Sequence, residues 1–151
     1  MQMQCQVREA AATDATRISQ VILAALLTSN ARDYPASVIE RVRHSFTAAG
    51  VLQLMQRRRM FVAWVDGVLV GTASLDANVV RTMFVEPSWH KRGVGRHLMT
   101  VLQQAAREAG EQSLIVPASI TAEGFYARLG FRTVREQFDG EERTLVMERP
   151  L

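Results

Sequence analysis

Apolar positions along the chain recur with two periods, and the change of period divides it. Gln4 to Glu9 alternates apolar and polar residues, which predicts a short strand. Ile18, Val21, Ile22, Ala25 and Leu26 then fall on one face of a helix that Thr13 or Asp14 can cap. Asn30 to Pro35 breaks the pattern, with Tyr34 held extended by the proline after it. Two more helical stretches follow. Ser37 to Ser45 sets Ile39, Val42 and Phe46 for one face, and Ala48 to Arg58 continues the helical region.

From Met60 the period shortens. Met60 to Val65 and Val68 to Leu75 are apolar, β-rich runs joined by Asp66-Gly67, a two-residue hairpin signal. Asn78 to Val85 reads as a third strand. Val94, Leu98, Val101, Leu102 and Ala105 trace one face of a helix that stops near Gly110. Ser113 to Val116 is a short buried strand, and Thr121 to Leu129 a short helix closed by Gly130. Phe131 to Phe138 and Glu142 to Arg149 form a last hairpin around Asp139-Gly140. Hairpins dominate, but the strand–helix–strand unit at 78 to 116 requires one parallel crossover. The fold class is therefore α/β (α+β in stricter usage): a mixed, mostly antiparallel sheet with helices on its faces. No repeat or linker interrupts it, so residues 1–151 are expected to form one domain.

Composition narrows the function classes. At 151 residues, 48% hydrophobic and 22% charged, the chain is globular rather than disordered. No apolar run approaches the ~20 residues a membrane helix needs. Residues 1–11 lack a basic stretch followed by an apolar one, so no signal peptide is expected. A single cysteine, Cys5, excludes an intramolecular disulfide and fits a cytoplasmic protein. The net charge is +3, and 17 of the 18 basic residues are arginine, Lys91 being the exception. The bases cluster. Arg81, Lys91, Arg92, Arg96 and Arg107 face only Glu86 in their stretch, and Arg57-Arg58-Arg59 forms a second group. Such an excess suits phosphates of a cofactor, a nucleic acid, or simply a solvated face.

Met83 to Met99 carries the chemistry. A strand ends at Val85, Pro87 stops it, and a basic, glycine-bearing loop leads straight into a helix. Gly93 and Gly95 allow close backbone approach, and the first-turn amides are unsatisfied within the helix. With Lys91, Arg92 and Arg96 beside them, these amides form a pyrophosphate site. The dinucleotide fingerprint fails, because Leu98 stands where a third glycine is needed. A Walker loop, a zinc-protease helix, a cysteine pair and a nucleophile elbow are all missing from the sequence. His44, His90 and His97 lack ligand spacing, so no metal is expected.

What remains resembles the GNAT N-acetyltransferase superfamily, whose signature is Val-x-Pro, then Gln/Arg-x-x-Gly-x-Gly/Ala. Here it stands as Val85-Glu86-Pro87, then His90-Lys91-Arg92-Gly93-Val94-Gly95, with His90 at the usual Gln/Arg position. His90 still offers one hydrogen bond, so its phosphate contact is expected to be altered rather than lost. A second signature, Asn-x-x-Ala-x-x-Phe/Leu-Tyr-x-x-x-Gly-Phe, is similar to Ser119 through Ala122, Phe125-Tyr126 and Gly130-Phe131, with Ser119 replacing the asparagine. Val7 to Asp14 resembles the family's opening strand and helix, and Val62 to Ser74 its central hairpin.

The resemblance implies a GNAT fold and an acetyl-CoA-dependent transferase acting on a primary amine, small or peptidic, by direct attack in a ternary complex. Met83, Phe84 and Val85 would pair with the pantetheine arm, the Val85 N–H serving as oxyanion donor. His90 to Arg96 (His90, Lys91, Arg92, Gly93, Val94, Gly95, Arg96) would hold the pyrophosphate, and Ser119 would contact the cofactor. Tyr126 would be the general acid toward the leaving thiolate and would also touch the cofactor. The general base stays open among Asp76, Glu40, Asp33, His44 and a relayed water, since Asn78 to Arg81 carries no carboxylate. Arg32 to Phe46 and Phe138 to Arg143 would shape the acceptor pocket. Tyr34, His44 and Phe46 are candidate linings, and Arg41 and Arg43 hint at an acidic acceptor. Two other readings stay open: a non-catalytic acyl-CoA-binding module, and an acetyltransferase acting on charged tRNA. Nucleic acid is otherwise not expected as a partner, and a homodimer is compatible with the family.

Overall fold

A computed structural model describes residues 4–30, 35–140 and 142–151 of the chain. Among the described residues seven strands form one sheet, in the order Cys5–Glu9, Arg59–Val65, Val68–Asp76, Val79–Val85, Ser113–Ala118, Glu142–Pro150 and Arg132–Asp139. In chain order the elements are β1 (Cys5–Glu9), α1 (Ala15–Ala25), α2 (Ala36–Ser45), α3 (Ala48–Arg57), β2 (Arg59–Val65), β3 (Val68–Asp76), β4 (Val79–Val85), α4 (Val94–Glu108), β5 (Ser113–Ala118), α5 (Glu123–Arg128), β6 (Arg132–Asp139) and β7 (Glu142–Pro150). All neighbours are antiparallel except β4 and β5. The hairpin expected at Asp66-Gly67 is there, and both residues take the positive φ (51° and 78°) that a tight turn of that hand requires.

Helices cover both faces, as the patterning demanded. On one face Ile18, Val21 and Ile22 of α1 and Val51 of α3 meet Met60, Val62 and Leu69. On the other, Leu98, Met99 and Leu102 of α4 meet Phe61, Ala63, Val65 and Leu114, with Tyr126 and Phe131 closing the layer. Gly71 of β3 is what lets α4 lie this close. A Cβ there would stand 3.0 Å from Val94 Cγ1 and 3.1 Å from Leu98 Cδ1.

The start of α1 differs from its expected cap. Asp14 does not cap α1; its carboxylate turns back to accept from the Ala11 N–H at 2.8 Å, closing a 3-10 turn over Ala12–Asp14. The Arg8 guanidinium donates to both of its oxygens, at 2.9 and 3.2 Å. Asp14 is buried, and the bond from Arg8 holds its carboxyl below the usual range despite desolvation. Asp14→Asn is therefore expected to lose about 1.5–3 kcal/mol of stability at neutral pH. A lowered folded-state pKa gives stability that is present above the ordinary carboxylate pKa and lost on acidification. The variant's deficit, read from denaturant melts, should accordingly shrink as the pH falls below about 4.

Candidate functional site

The site begins where the sheet opens. β4 and β5 share one parallel register pair, Val79 with Ile115, next to the bond from the Ile115 N–H to the Asn78 carbonyl (2.9 Å). Beyond it β4 runs on to Val85 and β5 to Ala118 without further pairing. On its other side β4 stays paired with β3, but the register slips between Ala73 and Leu75, so Arg81 and Thr82 together oppose Ser74. The hydroxyls of Ser74 and Thr82 meet across this bulge, Oγ to Oγ1 at 2.7 Å. A bulge shifts the parity of the strand after it. The Glu86 N–H donates to the Val70 carbonyl on the β3 side (2.8 Å), so the alternating groups of Met83 and Val85 point the other way, into the gap.

His90 sits at the end of β4, where its side chain makes a bond within the chain. Its Nε2 bonds to the Val85 carbonyl at 2.8 Å, tying the loop back to the strand end. Of Val85's two groups on the side of the gap, the carbonyl is thereby occupied and the N–H lies beyond the β4–β5 pairing. The intervening chain makes a 3-10 turn over Pro87–Trp89, then takes positive φ at Lys91 (62°) and Gly93 (86°) before α4 starts. No side chain caps α4. Its first internal bond runs from the His97 N–H to the Gly93 carbonyl (3.1 Å), which leaves the amides of Val94, Gly95 and Arg96 outside the helical ladder. Lys91, Arg92 and Arg96 surround this end, all exposed, and none is ion-paired with a described residue. Arg92 lies over the Trp89 ring, 5.0 Å from its centroid.

The first two residues of α4 turn their side-chain positions to the core. Val94 is buried under the sheet, so only its backbone is presented. Gly95 is buried too, and a Cβ on it would stand 2.8 Å from Phe125 Cζ. The close approach at Gly95 includes one by α5, whose Phe125 ring occupies the space of a side chain there. Gly93 keeps the ligand-facing reading: its nearest neighbour for a Cβ is His97 Nδ1, 4.0 Å away.

Ser119 and Tyr126 follow β5 in the chain, the latter within the core layer. Ser119 Oγ accepts from the Ala122 N–H at 3.2 Å, holding the turn into α5. Tyr126 is 5% exposed, between the rings of Phe125 (5.1 Å between centroids) and Phe131 (5.8 Å). Desolvation alone pushes its phenol well above the ordinary tyrosine range, and no described group hydrogen-bonds its hydroxyl. It therefore holds its proton throughout the working pH range.

The candidate bases are scattered. Asp76 ends β3 and is in register with Val79, six residues or about 20 Å of strand from Val85, and it faces Arg81 (3.8 Å). It is removed as a base by that distance. Glu40 is exposed on α2 and pairs with Arg43 (3.6 Å) and His44 (3.8 Å), the latter's side chain 82% exposed. Arg32, Asp33 and Tyr34 lie outside the described residues. Arg41 bonds Glu142 at 2.9 Å, joining α2 to β7, and Phe46 packs edge-on against Phe84 of β4 (6.1 Å). Phe138 is exposed on β6, and Arg143 of β7 pairs with Glu136. Arg57 closes the last turn of α3, where a cation suits the dipole, and Arg59 pairs with Glu9 (2.7 Å). Among the described residues no group of three or more His, Cys, Asp or Glu side chains could hold a metal, and no helix is long and apolar enough to cross a membrane.

Comparison with known proteins agrees with this geometry. A family model described as an acetyltransferase (GNAT) domain matches residues 30–147. An uncharacterized N-acetyltransferase of Escherichia coli K12, YafP, is 34% identical over 83 residues, 55% of this chain and 52% of that one. The chain thus spans about half the length of the curated relative it matches. Among solved structures, a GCN5-related N-acetyltransferase from Rhodopseudomonas palustris (also described as an aminotransferase, class II) is 25% identical with a TM-score of 0.91, covering 100% of this chain and 99% of that one. The PaiA N-acetyltransferase of Thermoplasma acidophilum, solved with coenzyme A, shares the fold at a TM-score of 0.83 and 19% identity, covering 99% and 100%.

Proposed function

The chain belongs to the GNAT acetyltransferase family, and on that premise we propose that it transfers an acetyl group from acetyl-CoA to a primary amine of a small molecule or peptide. The observation that carries the reading is one continuous cradle. The unpaired N–H groups of Met83 and Val85 open onto the gap, and the uncapped amides of α4 with Lys91, Arg92 and Arg96 stand at the end of the loop leaving β4. The two parts suit the two parts of an acyl-CoA. An extended pantetheine arm can be added to β4 like a further strand, and a pyrophosphate matches a helix N-terminus flanked by cations.

Bound acetyl-CoA would supply an activated thioester. Within the gap the Val85 N–H would donate to the oxygen that gains charge as the amine attacks, in the same complex. Tyr126 would donate its proton to the departing sulfur. Burial raises its pKa, which keeps the phenol protonated but makes it a weaker donor, so the transfer needs a thiolate made more basic by the same desolvation. Ser119 holds the turn into α5.

The test is calorimetric titration of acetyl-CoA and CoA into the wild type and Gly93→Glu. At Gly93 the backbone φ is 86°, so the substitution adds strain as well as a carboxylate beside the α4 amides. Micromolar binding is expected in the wild type and a loss of at least about 100-fold in the variant, equivalent to ~2.7 kcal/mol. Wild-type protein that binds neither compound would overturn the reading. An amine panel followed by thiol release then identifies the acceptor.

A further inference from the structure

We infer that Pro117 is a positioning residue, which holds the gap between β4 and β5 open by withholding the one donor able to extend their ladder. The inference starts from the last rung. In a parallel pair, alternate residues of one strand face the neighbour. The Ile115 N–H faces β4, where it donates to the Asn78 carbonyl (2.9 Å), and Ile115 is in register with Val79. Two residues on, the group that would face β4 is the nitrogen of residue 117, and its acceptor in that register would be the Val80 carbonyl. Residue 117 is proline and has no N–H to give.

The geometry on either side of β5 isolates the effect. Toward β7 the pairing is unbroken from Ser113 with Pro150 to Ala118 with Leu145, including Pro117 opposite Val146, because residues 114, 116 and 118 make those bonds. Proline thus leaves one edge of β5 intact and ends the other. The β4 bulge at Arg81 and Thr82 lies beyond the missing rung, so Pro117 is the first of two stops. Its position follows directly on the pair that closes the base of the gap, and the cleft-facing groups of Met83 and Val85 lie further along β4.

This rests on the reading of the gap as an acyl-CoA site, and the experiment separates the two. Pro117→Ala restores a donor without adding bulk. In the full-length protein, amide exchange by NMR should show the new N–H at position 117 slowed at least about tenfold relative to an unstructured amide, as a ladder bond requires. Acetyl-CoA binding by calorimetry should weaken about tenfold, the worth of one hydrogen bond lost between cofactor and strand. The melting temperature should stay within a few degrees, a split that mere loss of stability would not produce. Fast exchange of the new amide would overturn the inference, and so would a protected amide with unchanged affinity. Wild-type protein that fails to bind acetyl-CoA would instead sink the acyl-CoA reading, while the exchange measurement still decides whether Pro117 ends the ladder.

Discussion

Tyr126→Phe is expected to slow acyl transfer about 10²–10³-fold, the range for losing a positioned general acid, while acetyl-CoA affinity stays within about twofold. The substitution removes one oxygen and leaves the ring in its place between Phe125 and Phe131. Because that hydroxyl has no described partner, its removal leaves no group newly unsatisfied, and the protein should melt at the wild-type temperature or slightly above. The pH dependence sharpens the expectation. Burial raises the Tyr126 pKa, so the phenol stays protonated to the alkaline limit of the assay. The wild-type rate should consequently show no fall near pH 10 from this residue, and the variant's profile should run parallel beneath it. Initial rates by thiol release between about pH 6 and 10, with binding measured in parallel, decide the matter. A rate within about threefold of wild type would remove Tyr126 as the acid. Loss of binding and folding together would make it a core residue, and a wild type with tight binding but no turnover on any amine would favour the non-catalytic module.

The elements were legible in the sequence to within a residue or two, and the reasons are local. The hairpin at Asp66-Gly67 rests on two adjacent residues that tolerate positive φ, and α4 on a 3.6-residue stripe ending near Gly110. The site was legible only where backbone chemistry decides it: a strand end, a proline, a glycine with φ of 86° and an uncapped helix. Where side chains meet across the fold, sequence spacing misled. Asp76 precedes the strand that carries Val85, yet it ends β3 beside Val79, at the opposite end of β4 from Val85. His90 stands at the Gln/Arg position of the loop signature, and its Nε2 bonds the Val85 carbonyl, a partner five residues away that no periodicity marks. The bulge at Arg81 and Thr82 decides which amides face the gap, and no turn residue announces it. Pro117 is legible in the sequence as a proline inside a short apolar run.

Gly95 is the position where two explanations of the same glycine part company. If it were there for a phosphate, a small side chain would weaken acetyl-CoA binding and leave stability alone, or even raise it, since glycine inside a helix costs about 1 kcal/mol relative to alanine. The packing predicts the reverse. A Cβ on Gly95 would stand 2.8 Å from Phe125 Cζ, below real carbon–carbon contact, and 3.2 Å from Cε1, so the half-buried ring, packed edge-on against Tyr126, has to shift. Gly95→Val adds two further methyls and is expected to cost about 3 kcal/mol, the upper range for overpacking a core. Phe125→Ala vacates the space, so the double variant should recover at least about 1 kcal/mol of the sum of the single losses. Urea unfolding of the wild type, both single variants and the double variant measures that coupling. Additive losses would show that Phe125 is not the obstacle. Full stability in Gly95→Val with abolished cofactor binding would return Gly95 to the phosphate, and the loop would then present two ligand-facing glycines instead of one.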